Sequence, residues 1–245
     1  MNRLQLVRIT GILLILFAVL LNVPYYLLAQ TFEYDDILRQ PTAKVLTSFH
    51  AGGTKLILTW FAFALLALLF IPTSVLLHQV LRRKDTPYLA AITLMGVLSA
   101  LLQSIGLMRW VFVIPILANL YVDPDASTTT RETVTVVYQA VHQYGGVVIG
   151  EQLGQFLLAF WTLGVGFVML KSALFKSWVA WLGIFTVPLW ILGQSELLAT
   201  VMPSMPTWEV TPIGFTIWGV WLFVVGIFLL GATYGKGRRL GLKVG

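Results

Sequence analysis

Two ionisable side chains stand inside stretches of this chain that are otherwise apolar: Arg109 in the run Tyr88 to Trp110, and Glu151 in the run Val147 to Leu170. A charge at membrane depth is expensive and tends to face a partner or a cavity. Counted from Leu89, Arg109 lies about 30 Å along a helix, and Glu151 lies about 6 Å inside a helix that starts at Val147. Both positions fall near the outer boundary of a bilayer core, so an Arg109–Glu151 ion pair between neighbouring helices is expected. Its chemistry would be anion recognition, with Arg109 anchoring an anionic group or staying locked to Glu151 until a ligand competes.

Other polar residues reach comparable depths. At 100° per residue Gln155 and Thr162 share the face of Glu151, while Gln103, Asn22, Gln194 and Glu196 lie at matching heights on other runs. Arg109, Glu151, Gln155, Gln103, His142 and Glu196 are therefore the candidate lining of an outer-half pocket for a small or lipid-like molecule. Gly150 and Gly154 flank Glu151 in a small-xxx-small spacing that lets another helix approach closely. The competing reading makes the Asn, Gln and Thr side chains interhelical hydrogen-bond glue, each contributing of order 1 kcal/mol.

His50 and His142 each precede a membrane entry and could meet near Glu151 or Glu196, as a zinc site or as acid–base groups. No short histidine spacing supports a metal, so an interfacial histidine bonded to backbone is the simpler expectation. Glu151 or His142 could serve as general acid or base on a lipid. No nucleophile motif or glycine-rich phosphate loop accompanies them, and no pattern implies a cofactor.

The elements that must position these residues are six apolar runs, near 9–29, 54–79, 88–110, 147–170, 178–201 and 212–234, each about long enough to cross a hydrocarbon core of about 30 Å. With 58% hydrophobic and 11% charged residues, the 245-residue chain cannot clothe a water-facing surface of its size. An all-α, polytopic membrane protein follows: one six-helix domain over 1–245, with the bilayer as its main partner. The absence of cysteine excludes disulfides and thiolate sites. The net charge of +6 does not point to nucleic acid, because the basic residues are distributed by connection and not gathered in one soluble patch.

Arg3, Arg8, Arg82, Arg83, Lys84, Lys171, Lys176, Lys236, Arg238, Arg239 and Lys243 collect on one side of this topology, and only Arg39, Lys44, Lys55 and Arg131 on the other. The basic side is expected to be cytoplasmic, with both termini there, in the plasma or inner membrane. The external segments, 30–53 and 111–146, form a small helical cap in this reading. Ile37, Leu38, Val45, Leu46 and Phe49 suit a short helix against the membrane or the bundle. The third run continues apolar to Tyr121 with a kink at Pro115, 123–127 reads as a turn, and Val134, Val137, Val141 and Tyr144 mark a helix that Gly145–Gly146 punctuates.

The segments Gln103–Trp110, Gly150–Gly154 and Ser172–Gly183 resemble a family of bacterial and archaeal membrane proteins catalogued as domain of unknown function 4386. The resemblance implies a six-helix membrane protein and supplies no catalytic residues. Three function classes stand: a protein that binds or transports a small or lipid-like molecule through the outer pocket, a structural or accessory subunit that joins a membrane-protein partner or a second copy of itself, and an intramembrane lipid-modifying enzyme.

Overall fold

The computed structural model describes residues 2–235, so Lys236, Arg238, Arg239 and Lys243 of the basic set lie outside the described residues. Its helices are α1 (Arg3–Phe32), α2 (Thr42–Leu68), α3 (Phe70–Leu81), α4 (Leu89–Phe112), α5 (Ile114–Val122), α6 (Thr128–Val141), a π-helix (His142–Leu153), α7 (Gly154–Leu170), α8 (Ser177–Ile184), α9 (Thr186–Ala199) and α10 (Thr211–Gly235), with a 3-10 turn at Asp36–Arg39. The described chain is all-helical and carries six helical stretches long and apolar enough to cross a membrane.

Three of these stretches, Thr42–Leu81, Leu89–Val122 and Thr128–Leu170, run to 40, 34 and 43 residues. At about 1.5 Å per residue they exceed a core of about 30 Å by at least about 20 Å of contour. Where they break, proline sets the place. The interruptions at Leu69, Val113 and Phe185 precede Pro72, Pro115 and Pro188 by two or three residues. Proline cannot donate to the carbonyl four residues back, and its ring crowds that carbonyl. Gly53 supplies a further kink, with φ 54° and ψ −152°, one residue before the expected start of the second crossing.

Two compact units divide the chain. Among the described residues, one comprises Leu20–Leu68 and Leu101–Leu153; the other comprises 2–19, Leu69–Ala100 and 154–235. In the first, α5 packs on α2 and on α6, over a core of aromatic rings. Trp60 and Trp110 stack at 4.9 Å, and Phe32, Phe49 and Tyr34 pack edge or face against them. The expected helix through Ile37 to Phe49 resolves into the 3-10 turn and the start of α2, with Ile37, Val45, Leu46 and Phe49 buried against this core.

The helix expected from Val134 to Tyr144 forms, as α6 and the start of the π-helix. Its inward face carries Val134 and Tyr138, followed by His142, whereas Val137 and Tyr144 are exposed. One expectation is corrected: Gly145–Gly146 does not punctuate the helix, because the backbone passes through both in π geometry.

In the second unit Phe70 packs against Phe17, Trp161 and Trp218. Trp218 donates its indole N–H to Thr162 at 3.0 Å, and Trp221 donates to the Val179 carbonyl at 2.9 Å. These bonds avoid the cost of about 1–3 kcal/mol that an unpaired N–H carries in an apolar interior.

Candidate functional site

Arg109 occupies the last turn of α4 and is 7% exposed. Its Nη1 donates to the carbonyl of Gly106 on the same helix, and the guanidinium carbon lies 5.1 Å from the centre of the Trp110 ring. Gly146 makes room for it, since a Cβ there would collide with the guanidinium. The π stretch brings this glycine to Arg109 and also sets Gly150 against Gly106, where a Cβ on Gly106 would stand 2.6 Å from the Gly150 Cα. The close helix approach expected beside Glu151 is thus made by α4.

Glu151 lies between two guanidiniums. Its Oε2 accepts from Arg39 Nη2 at 2.9 Å, and its Oε1 stands 3.9 Å from Arg109 Nη2. The expected Arg109 pair is present as the long arm of a three-residue cluster whose short arm comes from Arg39. Two guanidiniums and one carboxylate leave a formal charge of +1. The Nε of Arg109 is buried with no hydrogen-bond partner among the described residues.

His142 is buried, its Nδ1 3.4 Å from the Tyr138 hydroxyl and its ring stacked on Tyr138. His50 Nδ1 lies 2.9 Å from Asn119 Oδ1. The two histidines take separate partners, and among the described residues no three His, Cys, Asp or Glu side chains gather as a metal-binding group. Tyr34, outside the apolar stretches, packs against Tyr25, Trp60 and Phe63. Burial, reinforced by the adjacent Asp35 carboxylate, pushes its hydroxyl well above the ordinary tyrosine range, so it stays neutral.

Arg109, Glu151, His142 and Gln103 belong to the first unit, and Gln155 and Glu196 to the second. Gln155 accepts from Gln194 Nε2 at 2.9 Å. Gln155 and Thr162 lie within α7, seven residues apart, a spacing that puts them on one helix face, while Glu151 belongs to the π-helix before it, where the rotation per residue is smaller. Arg39, Trp110 and Gly146 are the residues that sequence reasoning missed. Arg39 did carry a signal: it is one of few cations on the cation-poor side, and a second of them, Lys44, is also paired, with Glu33 at 2.6 Å.

The all-helical fold, its six membrane-length apolar stretches and a charge cluster set beside buried aromatic rings define a multi-pass membrane protein. The chain belongs to the family described as Domain of unknown function (DUF4386), whose model matches residues 9–226. No curated protein and no solved structure matches it.

Proposed function

We propose that this membrane protein binds, as a receptor or carrier, a small or lipid-like molecule bearing a carboxylate or phosphate, and that the anionic group is held at the Arg39–Glu151–Arg109 cluster. The observation that carries the reading is the buried Arg109, whose Nε lacks a partner among the described residues while the neighbouring Glu151 carboxylate is bonded more closely to Arg39. A buried guanidinium left short of hydrogen bonds gains by meeting a second anion, and its planar fork matches carboxylate and phosphate oxygens. His142 and Gln103, of the same unit, are its further candidate residues. In this reading the chain works as one six-helix membrane domain, with 30–53 and 111–146 outside and both termini cytoplasmic.

Thermal unfolding of the purified protein in mild detergent, titrated with oleate and with lysophosphatidate and with neutral monoolein as control, tests it. Saturable stabilisation by either anion is expected, weakened roughly 30-fold or more in Arg109→Gln, about 2 kcal/mol. Glu151→Gln should tighten binding, because it removes the internal competitor. Stabilisation that is equal for the anions and monoolein, or that is unchanged in both variants, would remove the cluster from the site.

An accessory or structural role is the second reading. It is favoured by polar side chains spent on helix contacts, such as Ser104 Oγ donating to the Ala64 carbonyl at 3.0 Å and Ser99 Oγ donating to the Gly154 carbonyl at 2.7 Å. A partner that copurifies in mild detergent, together with a failure of the anion titration, would favour it.

A further inference from the structure

The second unit contains a basic cavity that the anion reading of the first unit does not use. It opens at the turn between α3 and α4, has a volume of about 740 Å³, and is lined by His78, Arg82, Arg83, Lys84 and Thr86. The turn itself is tightly held. Arg83 N–H donates to Thr86 Oγ1 at 3.0 Å, the Thr86 hydroxyl donates back to the Arg83 carbonyl at 3.0 Å, and Leu89 N–H donates to the Thr86 carbonyl at 3.2 Å. Thr86 is 3% exposed, so this closed arrangement is part of the interior and sets the backbone from which the cations project.

The three cations are not equivalent. Arg83 is committed: its Nε lies 3.0 Å from Asp85 Oδ1, and its Nη1 reaches the Val168 carbonyl at 3.5 Å. Arg83 in turn holds the Asp85 carboxyl below the usual range through that hydrogen bond. Arg82 and Lys84, on either side, have no ion-pair partner among the described residues. Three cations and one carboxylate leave the turn with a formal +2 beside a cavity. His78 adds a further polar wall. The Thr93 hydroxyl donates to the Leu89 carbonyl at 2.8 Å, so its oxygen accepts from His78 Nδ1 at 2.8 Å, which leaves Nε2 as the imidazole's remaining polar atom.

Position selects the ligand. The turn joins two stretches that end and begin at Leu81 and Leu89, both apolar enough to cross a membrane, so it stands at headgroup level. Pro87 and Ala90 form an apolar part of the cavity lining, and Tyr88 beside them is 45% exposed. We infer that this cavity binds the phosphate of an anionic phospholipid, with Arg82 and Lys84 as the groups that hold it, Arg83 as the fixed centre of the turn, and the Pro87–Ala90 side as the way out for the acyl chains. Cavities of roughly 300–1,000 Å³ accommodate ligands of that size, and basic pockets beside membrane helices take up phosphorylated headgroups.

The full-length protein in mild detergent, titrated with phosphatidylglycerol and with phosphatidylcholine and read by native mass spectrometry, decides the matter. The wild-type protein should retain phosphatidylglycerol preferentially. Arg82→Gln with Lys84→Gln should weaken that retention about 30-fold, two charges each worth about fivefold near an anionic surface. Both residues are exposed, so the double variant is expected to fold; circular dichroism checks this. Arg3→Gln with Lys176→Gln removes two basic charges elsewhere and should leave retention unchanged. Equal loss in both double variants would reduce the effect to diffuse charge and overturn the site, as would retention that survives Arg82→Gln with Lys84→Gln. Displacement of the lipid by inorganic phosphate at matched concentration would overturn the lipid assignment in favour of a soluble phosphate.

Discussion

Single atoms decide how close two helices come in the first unit. Gly106 and Gly150 face each other so closely that a methyl group on either meets the other's backbone, at 2.6 and 3.0 Å. Backbone cannot turn aside as a side chain can, so Gly106→Ala must separate α4 from the π-helix and disturb the Arg109 cluster with it. A loss of about 1–3 kcal/mol is expected, read as a lowered Tm, together with weaker anion stabilisation. Buried polar bonds elsewhere should matter less: Thr162→Val leaves the Trp218 N–H without its acceptor and should cost about 1 kcal/mol, visible in Tm with anion binding unchanged. At this scale two of the three cluster residues were legible. Arg109 and Glu151 stood out because charge in an apolar run demands an explanation. Arg39 did not, because it lies 112 positions from Glu151, in a polar connection where a charge needs none. Which guanidinium comes closer to the carboxylate, Arg39 at 2.9 Å or Arg109 at 3.9 Å, is set by tertiary packing, and no spacing rule carries that.

The elements were more legible than their geometry. Apolar length alone located all six stretches, and the turns near 82–86, 123–127 and 171–177 fell where charge and proline placed them. The π-helix was not legible: its twelve residues, HQYGGVVIGEQL, read as the end of one helix, a glycine break and the start of the fourth crossing, and only packing against α4 rewards the wider turn that brings Gly146 and Gly150 to Arg109 and Gly106. Gly53 is the element-scale counterpart. Its φ of 54° with ψ −152° belongs to a region that residues with a Cβ avoid, yet nothing lies within 4 Å of where that Cβ would be. Gly53→Ala therefore isolates the backbone cost of the α2 kink, about 1–3 kcal/mol. Gly231→Ala, in equally open space inside α10 and without a positive φ, should be neutral or stabilising by up to about 1 kcal/mol. Equal Tm values for the two variants would show that the α2 kink relaxes without Gly53.

For the whole molecule, we propose a sidedness from where cations accumulate. The connections at 82–86 and 171–176 hold Arg82, Arg83, Lys84, Lys171 and Lys176 alongside Asp85, whereas the segments 30–53 and 111–146 hold Arg39, Lys44 and Arg131 alongside Glu33, Asp35, Asp36, Asp123, Asp125 and Glu132. Two of those three cations are engaged with carboxylates, Arg39 with Glu151 and Lys44 with Glu33; the rule that counts Lys and Arg alone supports our proposal that 30–53 and 111–146 are external. The chain carries no cysteine, so single cysteines report position without background. Asp125→Cys, in the exposed turn before α6, should react with a membrane-impermeant maleimide on intact cells, and Lys84→Cys only after permeabilisation. That pattern would put the Arg39–Glu151–Arg109 cluster on the external side, open to ligands from outside or from the outer leaflet, and the basic cavity among the headgroups of the cytoplasmic leaflet, where anionic lipids concentrate. The reverse pattern would exchange the two environments: the anion in the first unit would then have to come from the cytoplasm, and the cavity would face a leaflet with less negative charge to recruit.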